Sequence, residues 1–357
     1  MQLVVTGKGE DAVRVCLTAI TACTDEPPRL TAPCLPQGAV CDALGQSTVR
    51  QWPTRTTSAD ELVTRLQRQA AAAPAQQLPE GLSRWGGCGR LRFDATGWFA
   101  TAHDGDRWWL VDPDGHAFWS MGMDCVRPHI QSYVSGLEDA YECLPPADSE
   151  FRHGRRAAGS EAEFADFLGW NLARAFGVQW HDRWAELALS LLRGFGFNTV
   201  ANWSEWEIAR RRVPYVRPLG LGAFASVPKA FRDLCDVFDP AFDPACRAYA
   251  EQLVQTRDDP AFIGYFLMNE PKWGFAAMTP AEGMLFNCAH GHCRQALAGW
   301  LREKYADADA LAAAWGPAAT FDALADGPWT APVHSDAAAA DLAAFSRVMV
   351  ERLYKSM

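Results

Sequence analysis

The chain is predicted to be an α/β protein built on a parallel sheet, on three observations. From about residue 117 helical stretches and short apolar stretches take turns along the chain. The short stretches are nearly all apolar, as strands buried on both faces are. Gly, Pro and Asp mark the joins between them. Helices placed between successive buried strands imply right-handed crossovers within one sheet.

In chain order, residues 1–42 are rich in Thr, Val, Pro and Cys and alternate poorly, like the end of a β-rich segment. Residues 58–73 (SADELVTRLQRQAAAA) have a Ser cap, early acids and an apolar stripe, so a helix is expected there. AAPAQQLPEG after it has the composition of a linker. The expected division is therefore an accessory remnant over 1–80 and the main domain over 81–357. From Trp98, in WFATAHDGDRWWLVDPDGHAFWSMGMDCV, turn signals at Asp104-Gly105 and Asp112-Pro113-Asp114-Gly115 separate apolar runs. The last of these, 117–125, is the first buried strand. Helices follow over 161–177 and 182–193, then a strand over 197–203, a short helix over 205–211 and a strand over 213–219. The helix 244–257 stops at Asp258-Asp259-Pro260, before the strand 262–269, and helices over 292–304 and 341–355 finish the chain. Four parallel strands, beginning near 117, 197, 213 and 262, are too few to close a barrel.

Composition removes several classes of function. A net charge of -10 argues against nucleic acid, whose phosphates need clustered Lys and Arg. The one dense basic run, Arg210-Arg211-Arg212, is expected to stay solvated at the end of a short helix. No apolar run is long enough to span a membrane. The start, MQLVVTGKGEDAV, has no basic-plus-apolar leader. As it stands the chain is expected in the cytosol, or outside it if its N-terminus lies further upstream. Eleven cysteines leave at least one thiol unpaired within the chain. Cys16, Cys23, Cys34 and Cys41 could form a bridge or two in an exported protein, and buried free thiols are the plainer reading. The 15 Trp against 7 Tyr lean toward a carbohydrate ligand, because an indole face packs well on a sugar ring.

The sharpest chemical signal is Asn269-Glu270-Pro271, directly after the apolar run Phe262–Met268. A carboxylate there sits at the C-terminal end of a parallel strand, where barrel enzymes keep their reacting groups. Pro271 cannot extend the hydrogen-bond ladder, so the chain must turn. Other strand ends supply Asp124, Asn202 and Trp203, and Trp273 follows Glu270 closely. Each serves equally well for ligand contact or for packing. Glu205 is expected to begin the short helix after Ser204. Cys288, His290, His292 and Cys293 crowd donor side chains into six residues, but tetrahedral zinc sites usually draw on two separated pairs, so a loop is the favoured reading and no metal is expected. The chain carries no Gly-x-Ser-x-Gly elbow, phosphate-binding loop or dinucleotide fingerprint, and no cofactor is expected.

With Asn-Glu-Pro closing its fourth strand, the chain resembles the clan A glycoside hydrolases, and within them the β-agarase and β-galactosidase branches. DGDRWWLVDPDGHAFWSMGMDCV is similar to their entry into the first barrel strand, GFGFNTVANWSEW to the second strand, and DDPAFIGYFLMNEPKWG to the fourth. LREKYADADALAAAWG resembles a later helix and Leu-Asn-x-x-Trp-Gly segment, with Ala312 in place of the usual Asn. DALGQSTVRQWPTRTTSADEL and SRWGGCG resemble the region that joins the agarase β-sandwich to its barrel.

The resemblance implies a (β/α)8 TIM barrel, of which this chain holds the first half, preceded by the end of a β-rich accessory segment. It implies a retaining hydrolase of β-linked galactosides or agar-type oligosaccharides, with Glu270 as general acid/base. Burial beside apolar side chains would keep the proton on Glu270 at the start of the reaction. Asn269 would hydrogen-bond the sugar 2-hydroxyl, and Asp124, Asn202, Trp203 and Trp273 would line the barrel mouth. The second carboxylate of this clan closes the seventh strand, and no residue after Glu270 in this chain fills that place. The chain alone is therefore expected to be inactive. The rival reading is a carbohydrate-binding remnant without turnover. The expected partner is an oligo- or polysaccharide, and sequence leaves the oligomeric state open.

Overall fold

The computed structural model describes residues 38–157, 160–333 and 335–357. Three of the four cysteines near the start, Cys16, Cys23 and Cys34, lie outside them. The described residues divide into two compact units, residues 38–55 with 131–167, and residues 56–130 with 168–357.

In the first unit an antiparallel sheet of three strands runs in the order Gln131–Tyr133, Ser160–Asp166, Arg152–Ala157. Sequence periodicity predicts a helix over 161–177, but the strand runs to Asp166 and the helix spans Phe167–Phe176. Arg152 decides the matter locally, because it lies across the sheet from the strand and forks onto both oxygens of Glu163 at 2.7 and 2.9 Å. A loop is tied by Asp42, which accepts from the backbone N–H of Leu44 and Gln46 and from Arg55. Gly45 in this loop has φ +82, and a Cβ there would come within 2.6 Å of Phe167.

The second unit opens with the predicted helix, Ala59–Ala72, capped by the Ser58 side chain. A four-stranded antiparallel sheet follows, in the order Cys88–Arg92, His116–Phe118, Trp108–Val111, Ala100–His103. Both predicted turns form. Asp104 accepts from the N–H groups of Asp106 and Arg107, and buried Asp112 accepts from those of Asp114 and His116. The run 117–125, predicted as one strand, serves two sheets. His116–Phe118 ends the antiparallel sheet, and Gly122–Met123 begins a parallel one.

That parallel sheet contains four strands, Gly122–Met123, Thr199–Val200, Tyr215–Pro218 and Phe262–Phe266, adjacent in chain order. The ladder runs Met123 beside Val200, Val200 beside Tyr215, and Arg217 beside Tyr265. The crossover before the second strand contains the helix Trp180–Gly194, and the one before the fourth contains Phe242–Ala250. Leu189, Leu192, Val200, Tyr215 and Ala261 bury one apolar cluster around these strands. A larger cluster holds Phe242, Tyr249, Leu297, Leu301 and Phe345 among the later helices, of which Asp336–Ser356 is the last. No helix among the described residues is long and apolar enough to cross a membrane.

Candidate active site

The predicted site residues occupy the C-terminal ends of three parallel strands, and the backbone there is unusual. Cys125 follows the first strand with φ 58, Trp203 the second with φ 57, and Glu270 the fourth with φ 44. Residues with a Cβ seldom take this left-handed conformation, and where they do it often marks a functional position. The first two ends are knitted together: the Cys125 N–H donates to the Asn202 carbonyl at 2.8 Å, and the Val126 N–H to Ser204 Oγ at 2.9 Å. Trp203 is 40% exposed and meets the edge of Phe266, the last residue of the fourth strand, with ring centroids 5.9 Å apart. The second and fourth strand ends thus share an aromatic contact.

Asn269 and Trp273 come together as lining of one cavity of about 190 Å³, beside Met268 and Pro271. Tyr249 anchors the strand just before it, donating its hydroxyl to the Leu267 carbonyl at 2.7 Å, and burial pushes that phenol up to about 12. Asn202 is half-buried, and its Oδ1 is buried with no partner among the described residues. Asp124 is exposed after the first strand. No contact brings Asp124 onto the other site residues among those described.

Glu270 is exposed, so the burial expected from sequence is not provided by the described residues. The reason is local, since the left-handed turn and Pro271 carry the chain away from the sheet immediately. After Glu270 a one-turn helix spans Lys272–Phe275.

Sequence reasoning missed the group that holds this turn. Asp233 accepts from the N–H of Lys272 at 2.9 Å and of Trp273 at 3.1 Å, and Arg232 donates to the Lys272 carbonyl at 2.9 Å. Both belong to the hairpin Lys229–Phe231 with Leu234–Cys235. Arg232 takes φ 53 in its turn without the Gly or Asn that would have signalled one. Glu205, the expected helix start, does precede the short helix Trp206–Ala209. Its carboxylate also lies 2.7 Å from His181 Nε2 and 3.6 Å from His129 Nε2, a pairing that no sequence spacing announces.

The crowded Cys/His stretch is divided among separate partners. Cys288 donates to the His290 carbonyl, His290 faces Asp326 at 2.6 Å, His292 faces Asp239 at 3.3 Å, and Cys293 is buried. Arg294, fully buried, ties the loop by donating to the carbonyls of Leu324 at 2.8 Å and Cys288 at 3.0 Å.

Glu270 thus stands beyond the end of the fourth strand, next in sequence to Asn269, and outside the lining of the cavity that Asn269 and Trp273 share. No family profile matches the chain. It is similar to β-agarase B of Vibrio sp. (strain JT0107), with 24% identity over 331 residues, covering 81% of this chain and 35% of that protein. β-Agarase A of the same strain is 26% identical over 216 residues, covering 52% of this chain and 21% of that one. The fold is that of the solved structure of an exo-β-agarase, with TM-score 0.76 at 22% identity over 90% of this chain and 52% of that one. The structure of PfGH50B matches over the same shares, with TM-score 0.79 and 22% identity. The chain thus spans about a third or less of the curated relatives' length and about half of these solved chains.

Proposed function

We propose that the chain carries the acid/base half of a retaining glycoside hydrolase that cleaves β-linked, agar-type galactosides. The observation that carries the proposal is Glu270, in left-handed backbone at the end of the fourth parallel strand, in a fold shared with an exo-β-agarase. In this reading the four strands are consecutive strands of a (β/α)8 barrel, and their C-terminal ends form its mouth.

The reaction has two steps. Glu270, protonated, donates to the leaving glycosidic oxygen while a second carboxylate attacks the anomeric carbon, the two carboxyl groups being about 5–5.5 Å apart in retaining enzymes. Glu270, now ionised, then takes a proton from water as that water releases the sugar from the covalent intermediate. The nucleophile is supplied from outside the four strands, since none of their ends offers a second Glu in the required place. Asn269 hydrogen-bonds the 2-hydroxyl, a contact that tightens as positive charge develops on the ring. Trp203 and Trp273 stack on sugar rings, Asn202 Oδ1 accepts a hydroxyl that satisfies its orphaned oxygen, and Asp124 takes a hydroxyl at the first strand end.

The test is the stereochemistry of cleavage. NMR of the first product that the protein from its source releases from agarose-derived oligosaccharides should show the β anomer before mutarotation. Initial release of the α anomer would remove the retaining mechanism. Binding of these oligosaccharides without any turnover would favour a carbohydrate-binding role instead.

A further inference from the structure

A second cavity, of about 460 Å³, lies at the opposite ends of the parallel strands and is lined by Arg84, Arg193, Arg211, Arg212 and Trp85. Its position follows from the chain. Arg193 belongs to the last turn of the helix Trp180–Gly194, which leads into the second strand. Arg211 and Arg212 come just before the third strand. Glu270 sits at the other ends of these strands and has no part in this site.

Charge in the cavity is unbalanced. Arg84 has its own carboxylate, forking onto Asp114 at 2.8 and 3.0 Å. Among the described residues no carboxylate pairs with the guanidinium of Arg193, Arg211 or Arg212, and Arg211 reaches Asp259 through its backbone N–H alone. Burial, and next the charge of Arg212, holds the Arg193 guanidinium below the usual arginine range. Like charges gathered in one cavity are unfavourable unless an anion joins them. The run Arg210-Arg211-Arg212 is exposed, as expected from sequence, and two of its members also border this cavity.

Trp85, 4% exposed, forms part of the wall, with the Arg84 guanidinium 4.7 Å from its ring centroid, so its indole reports on events in the cavity. A guanidinium is a donor only. The cavity thus gathers four guanidinium groups, three of them without a carboxylate partner among the described residues. A planar guanidinium presents two parallel donors to tetrahedral oxyanions as well as to carboxylates. The volume falls within the roughly 300–1,000 Å³ of small-molecule sites, more than an inorganic ion fills. Leu78 and Leu82 add an apolar wall.

We propose that this cavity binds a sulfate or phosphate group, with room for the sugar-sized body of an ester that carries it. The full chain would be titrated with sodium sulfate, sodium phosphate, galactose 6-sulfate and galactose 6-phosphate at matched ionic strength, with sodium chloride as reference. The readout is the ¹H–¹⁵N indole resonance of Trp85, identified by its loss in Trp85→Phe. A saturable shift is expected with the oxyanions and none with chloride. Arg212→Gln, at an exposed position, and Arg193→Gln should each weaken binding about tenfold, as loss of a charge-assisted hydrogen bond does. Tighter binding of an ester than of its inorganic ion would identify the ester as occupant, and equal binding would identify the free ion. If no oxyanion moves the resonance more than chloride does, or if affinity is unchanged in a folded Arg212→Gln, the proposal is wrong.

Discussion

At the scale of the residue, Glu270 combines two demands that conflict. Its side chain is the proposed acid/base, and its backbone sits at φ 44, which disfavours any residue with a Cβ by roughly 1–2 kcal/mol. Cys125 and Trp203 accept the same conformation at the ends of the first and second strands. Glycine would remove the strain at Glu270, partly offset by the greater freedom of the unfolded glycine chain. Glu270→Gly should therefore raise the melting temperature by about 1–3 °C, whereas Glu270→Ala should not, and activity should be lost in both. Calorimetry of the two variants checks this, and a lower melting temperature for Glu270→Gly would mean that the position is unstrained. The role proposed for Glu270 was legible in the tripeptide Asn-Glu-Pro after an apolar run. Its conformation was not, because no residue type marks left-handed backbone except Gly, Asn and Asp.

Elements differ in how openly their sequence declares them. The turn between Ala100–His103 and Trp108–Val111 was legible because Asp104-Gly105 supplies its own capping carboxylate. The Asp104 carboxylate is held at about 2, below its ordinary 3.8, first by the Arg107 N–H, then by the Trp109 indole and the Asp106 N–H. The folded value is depressed, so the stabilising contribution is complete above the ordinary value and disappears as pH falls through about 2. Carboxylate NMR should place the Asp104 midpoint near 2, with the Trp109 indole resonance moving in step. A midpoint near 4 would mean that the capping bonds do not persist in solution. The hairpin with Arg232 and Asp233 at its turn was illegible for the converse reason, having no Gly, Asn or Pro there, although Asp233 anchors the segment that follows Glu270. The strand Ser160–Asp166 was hidden differently, since Ala162, Phe164 and Ala165 suit a helical stripe as well as a strand. Its partner Arg152–Ala157 settles the matter, and pairing at that distance in sequence leaves no local mark.

At the scale of the molecule, sequence revealed the four parallel strands in their order, because buried parallel strands are apolar throughout and the helices between them have their own period. It did not reveal that one compact unit is assembled from residues on both sides of 56–130, since no change in composition marks the return of the chain. The parallel sheet has two outer strands, and the first, Gly122–Met123, is flanked by exposed apolar side chains: Trp119 at 73%, Met121 at 46% and Met123 at 45%. An open strand edge with exposed apolar groups favours edge-to-edge pairing. The 357-residue chain on its own is therefore expected to associate as its concentration rises, and Met123→Lys should reduce that association in sedimentation velocity experiments. A chain that stays monomeric at every concentration would show that this edge is already protected.

The most direct test of the account is the dependence of Glu270→Gln on the leaving group, measured in the protein isolated from its source and in the variant made in that background. Loss of a general acid should slow cleavage of agarose-derived oligosaccharides by about 10²–10⁴-fold. An activated aryl galactoside needs no protonation, so it should still give a rapid burst of phenol, followed by slow turnover for want of the base. Wild-type rates on the oligosaccharides would contradict the assignment and move the proton donor to another residue.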